Sequence, residues 1–467
     1  MGTISSPFFT LPLELREEIY KGVLASPAFG PDLLQTCHEV NREARKYLYQ
    51  RPLKFGNQGD FYAWLAETPL HMLDYVSELS LDLRDVNLRP ILTSKSSVPN
   101  GPTSPRMMTS DLYQAELEKL EASLRKLAKV RVITIGVPSC QHSFLYRDFL
   151  TRFLEMLSLI YPGLINLRLD GNFHHQELVF LSKLTALESF SFDGFSASSP
   201  QAAIEILSSL KNLKNLSLLS KHAMITPRLG VHSGFTAKRQ SITGEVMRTI
   251  DQLASFTVSE QVTTTPALFF TSEVLTFLQE HRTLKDLSVQ LSYTPDGRTL
   301  DSLETFLEKS SIERLELDWP NLQPDVLEEY CLLTTTTKIL WVRATSEANA
   351  FEMLWSIFEC REAGDLKMLE KVVLIRSPGI CCEKLNVSCD RKDSAVRCTE
   401  LELIDVSRPC YLRVQARCHR VSYSQLTKLL AKPSTRRSRR DEHREGETTV
   451  AKSRNTCRVV HRGCLAS

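Results

Sequence analysis

"GLINLRLDG", residues 163–171, carries the pattern from which the architecture of this chain can be inferred. Leu164, Leu167 and Leu169 follow the order L-x-x-L-x-L, so the last two share one face of a short extended segment in which side chains alternate. The Asp-Gly pair that follows is a turn signal. A strand this short buries almost nothing alone and needs neighbours of its own kind. The sequence supplies them: "YVSELSLDL" (75–83), "KVRVITIGV" (129–137), "ALESFSFDG" (186–194), "NLKNLSLLS" (212–220), "QLASFTVSE" (252–260), "TLKDLSVQL" (283–291), "SIERLELDW" (311–319), "TKILWVRA" (337–344), "LEKVVLIRS" (369–377) and "CTELELIDV" (398–406).

Aligned on one apolar position, the copies read Leu79, Ile133, Leu167, Phe190, Leu216, Phe256, Leu287, Leu315, Ile339, Val373 and Leu401. Their separations lie mostly between about 23 and 40 residues, near or above the leucine-rich-repeat range. Between them run segments with apolar residues at three-four spacing, such as "FLYRDFLTRFLEMLSLI" (144–160), "TLDSLETFLEKS" (299–310) and "QPDVLEEYCLL" (323–333), which predict helices. The expected fold class is α/β: an irregular leucine-rich-repeat solenoid over residues 51–430, preceded by a short helical module. A nonrepetitive α/β domain with Leu-rich strands is the competing expectation, because the copies lack a clear Asn ladder. Two insertions, 93–110 and 220–243, are rich in polar and breaker residues and read as long loops.

Residues 7–50 follow a different pattern. In "LPLELREEIY" (11–20), Pro12 suits the first turn of a helix. Leu15, Ile19 and Val23 then recur every four residues as an apolar stripe. Leu33, Cys37, Val40, Ala44 and Leu48 predict a second amphipathic helix. Neither helix can bury its stripe alone, so they are expected to pack on each other and on a partner or on the repeats.

The chain has 467 residues, 42% of them apolar, and a formal charge of +2. The charge is uneven: residues 431–467 hold ten Lys/Arg against four Asp/Glu. That end, with "RRSRRDEHRE" at its centre, reads as a disordered basic tail or a nuclear-import address, and the body offers no reason to expect nucleic-acid binding. No apolar run is long enough to span a membrane and no secretory signal opens the chain, so stable membrane insertion is not expected and the cytoplasm or nucleus is the expected compartment. "MGTISS" satisfies the short N-myristoylation pattern, which alone gives marginal, reversible membrane binding.

Chemistry-bearing motifs are missing. The phosphate-cradling glycine loops, zinc-protease, nucleophile-elbow and kinase signatures are all absent, so no enzyme activity and no cofactor are expected. Six of the twelve cysteines lie between Cys381 and Cys418 without a C-x-x-C spacing, and His174-His175 with Glu177 lacks a third ligand. Asp170, Asp193, Asp318 and Asp405 each follow a strand pair and would line one edge, as an acidic strip for a basic peptide or as turn formers satisfying local N–H groups. Trp319, Trp341 and Trp355 read as core.

"LPLELREEIY" followed by "LLQTCHEVNREARKYLYQ" resembles the F-box, in the divergent form common in fungal proteins, over about residues 7–50. Leu11, Pro12, Glu14, Leu15, Ile19 and Tyr20 match its start, and Leu33, Leu34 and Cys37 its later helix. The aromatic residue that usually follows this Cys is absent; Glu39, Val40 and Asn41 stand there. The resemblance implies a substrate-receptor subunit of a Skp-cullin-F-box ubiquitin ligase, reaching the cullin through a Skp-type adaptor and holding an unknown protein substrate on its repeats. It implies Leu11, Pro12, Leu15, Ile19, Leu34 and Cys37 as adaptor-binding residues. The alternative is a leucine-rich-repeat interaction scaffold unconnected with ubiquitination, in which the helices only cap the first repeat.

Overall fold

Among the described residues, twelve parallel strands pair in chain order: β1 (Leu53–Phe55), β2 (Glu78–Asp82), β3 (Val132–Gly136), β4 (Asn166–Asp170), β5 (Ser189–Phe192), β6 (Asn215–Ser220), β7 (Ser255–Glu260), β8 (Asp286–Leu291), β9 (Arg314–Asp318), β10 (Ile339–Ala344), β11 (Lys371–Arg376) and β12 (Glu400–Asp405). The computed structural model describes residues 7–24, 31–87, 109–138, 143–220, 242–261, 269–364, 366–376 and 400–405. Most of both insertions, the Cys381–Cys418 cluster, residues 1–6 and the basic tail lie outside them. The result is a mixed α/β chain whose strands add one at a time with helical segments between, an order compatible with a stacked repeat array.

Leu79, Ile133, Leu167, Phe190, Leu216, Phe256, Leu287 and Leu315 stand in one register column, as aligned from the sequence. Each is at most 1% exposed, as is the residue two positions on in Leu81, Ile135, Phe192, Leu218, Val258 and Leu317. The alternation of the pleat therefore decides what is core.

Three readings need correction. The column passes through Leu340 and Val372, one residue away from Ile339 and Val373. Just before β10 a threonine, Thr337, takes the place of the leading leucine and is fully buried, its hydroxyl 2.9 Å from Thr334 Oγ1. In β11 four consecutive apolar residues, Val372–Ile375, erase the alternation that marks register. The column also starts earlier, at Leu53 in β1, whose three residues are too short to show a period. Leu340→Ala should therefore cost about 2–5 kcal/mol and Ile339→Ala about 1 or less in urea unfolding, a contrast that reverses if the column runs through Ile339.

A backbone ladder ties successive repeats at the entrance to each strand. The Ser77 carbonyl accepts from Arg131 N (2.9 Å) and Val132 N (3.1 Å), the Arg131 carbonyl from Ile165 N and Asn166 N, and the pattern continues to Lys338, which accepts from Glu370 N and Lys371 N. Each carbonyl uses both lone pairs. This ladder links each described strand to the next through main-chain groups, whatever side chains the repeat carries.

Helical segments return the chain between strands, and several start on a side chain that accepts from a free N–H of the first turn. Ser143 caps Phe144–Ile160, Ser199 caps Pro200–Ser209, Thr271 caps Ser272–Leu278, Asp296 caps Gly297–Lys309 and Ser346 caps Glu347–Ala363. The predicted helix over 323–333 is shorter, ending at Glu329. After β4 the connection is a single 3-10 turn, Val179–Lys183, which matches the short 23-residue step from Leu167 to Phe190. The turn after β4 requires glycine: Gly171 has φ +114°, and a Cβ there would meet the Val137 carbonyl oxygen at 2.2 Å.

Candidate functional site

Helix α1 (Leu13–Leu24) follows a 3-10 turn, Pro7–Thr10, and faces α2 (His38–Tyr49). The predicted second helix is broken: Pro31–Gln35 is a 3-10 turn, and α2 starts after Cys37, whose Sγ accepts from Val40 N at 3.5 Å. Sulfur thus takes the capping role usually filled by Ser or Thr.

These elements close their own core of Tyr20, Leu24, Leu34, Val40, Ala44 and Tyr47, with Phe8, Phe9, Leu33 and Leu48 packed at its edge. The buried stripe of α1 is Tyr20 and Leu24, continued one turn earlier by Arg16, whose side chain is 13% exposed. Arg16 donates to both oxygens of Glu43 on α2, Nε to Oε2 at 3.0 Å and Nη2 to Oε1 at 2.6 Å. Its Nη1 donates to the Leu11 carbonyl at 2.8 Å, which fixes the entry to the helix. Tyr20 completes the set by donating to Glu43 Oε2 at 2.9 Å. Lys46 and Glu17 pair at 2.5 Å, and Arg51 donates to the Leu24 carbonyl at the far end.

The electrostatics follow from this geometry. The Arg16 guanidinium, ahead of the Tyr20 hydroxyl, holds Glu43 below the usual carboxylate range, while burial and then Glu43 push Tyr20 up to about 12. Because Glu43 is depressed in the folded state, its stabilisation is present above its unfolded value near 4.5 and is lost as pH falls through the folded value. Glu43→Gln should therefore flatten the loss of melting temperature between pH 5 and pH 3; an unchanged slope would remove Glu43 as an acid-sensitive link.

With the inward stripe one residue out of step with the predicted one, the predicted stripe faces outward. Leu15 is 53% exposed, Ile19 42% and the adjoining Leu13 44%, with Pro12 also exposed and Leu11 half-buried. Leu15 and Ile19 lie about 6 Å apart along the axis, one turn, and Glu14 and Glu18 flank them in solvent. Of the other two residues, Cys37 is exposed, whereas Leu34 is 8% exposed and taken by the module's own core, off the outer face. Leu13 and the Arg16–Glu43 pair were not foreseen. A salt bridge between helices 27 residues apart leaves no local spacing to read.

The module meets the array through α2, where Tyr49 packs on Trp64 of the helix Gln58–Glu67 at 6.3 Å. The remaining sequence candidates resolve individually. Trp319 is fully buried as expected and Trp341 half-buried, but Trp355 is 47% exposed and donates to Glu359 Oε1 at 2.7 Å. Asp193 accepts from Phe195 N at 3.1 Å, a turn role, and Asp318 pairs with Arg343. Asp405 is opposite Arg376, one position past the column of Asp170 and Asp318, so the four do not form one strip. His174 and His175 lie in a turn, and no group of three metal-ligating residues occurs among the described residues.

No family model matches the chain, and no curated protein matches it. Among solved structures, a chain in the crystal structure of the Rad7 and Elc1 complex in yeast aligns over 79% of this chain and 92% of its own, at 12% identity and a TM-score of 0.35. That level of likeness decides neither fold nor partner. No helix among the described residues is long and apolar enough to cross a membrane.

Proposed function

We propose that this chain is a non-catalytic substrate-receptor subunit of a Skp-cullin-F-box ubiquitin ligase, with residues 7–50 docking on a Skp-type adaptor and the strand array holding a protein substrate. One observation carries this reading: α1 exposes Leu13, Leu15 and Ile19 although the module's core is complete without them. A helix that keeps an apolar face in solvent after its own packing is satisfied has the form of a helix-in-groove ligand. The cullin is reached through the adaptor, and the ubiquitin chemistry belongs to those partners, so the chain itself needs no active site, cofactor or metal. The ligase reading also sets the expected compartment, the cytoplasm or nucleus.

A second reading is supported by the Tyr49–Trp64 contact: the module covers the first repeat of an interaction scaffold with no link to ubiquitin. Affinity purification of the full chain, beside a chain lacking residues 1–50, separates the two. Adaptor and cullin recovered only with the full chain support the receptor; absence of both from the two samples supports the scaffold.

A further inference from the structure

Gly22 lies within α1, two residues before its end, and is exposed. Leu15, Ile19 and Gly22 are spaced by four and then three, so they share one face of the helix, turned away from the buried Tyr20 and Leu24. Nothing in the chain's own fold asks for glycine there. Its backbone is right-handed helix like that of its neighbours, and a Cβ built on it would meet no atom within 4 Å. The other glycines inside described helices differ: Gly59, Gly244 and Gly297 stand in a first turn, where a Cβ would meet Asn57 Oδ1, the Phe277 ring and the Tyr330 hydroxyl respectively. Within a helix glycine is less favourable than alanine, because it gives up more backbone freedom on folding. At Gly22 no contact inside the described chain offsets that loss, and the position adjoins the two exposed apolar side chains, Leu15 and Ile19.

We propose that Gly22 is the point of closest approach between α1 and the adaptor, where a wall of the groove that takes Leu15 and Ile19 rests directly on bare main chain. Packed helices stand about 8–10 Å apart, depending on the side chains at the contact, and glycine permits the short end of that range. Close approach brings more of the groove wall within van der Waals reach of α1, and a side chain at position 22 would hold it off. The inference rests on the receptor reading above and adds a steric condition to it: the groove accepts α1 because this position is empty.

The test titrates a purified Skp-type adaptor into the full chain by calorimetry, for the wild type, Gly22→Ala and Gly22→Leu, with thermal melting of each free chain alongside. Both substitutions favour the free helix, so the melting temperature should hold or rise. Affinity should nevertheless fall with side-chain volume, about fivefold or more for Gly22→Ala and about a hundredfold or more for Gly22→Leu. A groove that merely took up apolar area would respond in the opposite sense, because Gly22→Leu lengthens the stripe of Leu15 and Ile19 and adds surface to bury. Unchanged or tighter binding by Gly22→Leu therefore overturns the proposal, and leaves the receptor reading standing as long as the wild type binds. A lowered melting temperature in Gly22→Ala also overturns it, since the chain's own fold would then be what requires glycine. Failure of the wild type to bind the adaptor overturns both.

Discussion

Leu15→Asp combined with Ile19→Asp should abolish recovery of a Skp-type adaptor and leave thermal unfolding within about 1 °C of the wild type. Both side chains are more than two-fifths exposed and absent from the module's core, so their replacement removes no internal packing. Buried in a partner's groove, each would contribute about 1.5–3 kcal/mol, and placing a carboxylate there adds a desolvation cost. The expected loss of affinity is therefore on the order of a hundredfold or more, measured by titration calorimetry against purified adaptor. Leu11→Ala with Pro12→Ala is a weaker test, because the Leu11 carbonyl is held by Arg16 and the change disturbs the helix entry. Full adaptor affinity in the double variant at positions 15 and 19 would sink the assignment of this face.

A second large effect is expected inside the array. Leu216→Asp places a carboxylate at a fully buried position between Phe190 and Phe256 on the flanking strands. An uncompensated buried charge costs more than about 4 kcal/mol, and a stacked unit that fails leaves both neighbours with an uncovered core. Loss of far-UV ellipticity and new protease cleavage on both sides of β6 should follow. Leu219→Asp, one strand residue beyond Leu218 and half-exposed, is the control and should be tolerated. Wild-type protease resistance in Leu216→Asp would place that residue on the wrong face.

Both predictions depend on which side of an element a residue occupies, and the two halves of the chain differ in how far the sequence reveals this. In β4 to β9 the alternation of leucine and phenylalanine with serine, asparagine and arginine is sharp, so face and register follow from period two alone. Where a polar residue replaces the leading leucine, as Thr337 does, or apolar residues run together, as in Val372–Ile375, the same rule slips by one position. Helix caps such as Ser143, Thr271 and Asp296 act within three residues, so they belong to the local part of the structure even though apolar spacing alone does not mark them.

The N-terminal module shows the opposite case. Leu15 and Ile19 form an obvious stripe, and local sequence says only that such a stripe wants an apolar surface. Tertiary structure decided that it is not this chain's own core, because Arg16 turns inward to Glu43 on the other helix and carries Tyr20 and Leu24 with it. The same pairing of distant segments buried Leu34 and left Cys37 exposed as a cap. What the sequence alone determined were most of the elements and most of the repeat register, since both depend on periods of a few residues. Which apolar stripe is core, and which charged side chains pair between helices, depended on contacts between residues tens of positions apart, whose energies exist only once the chain has closed.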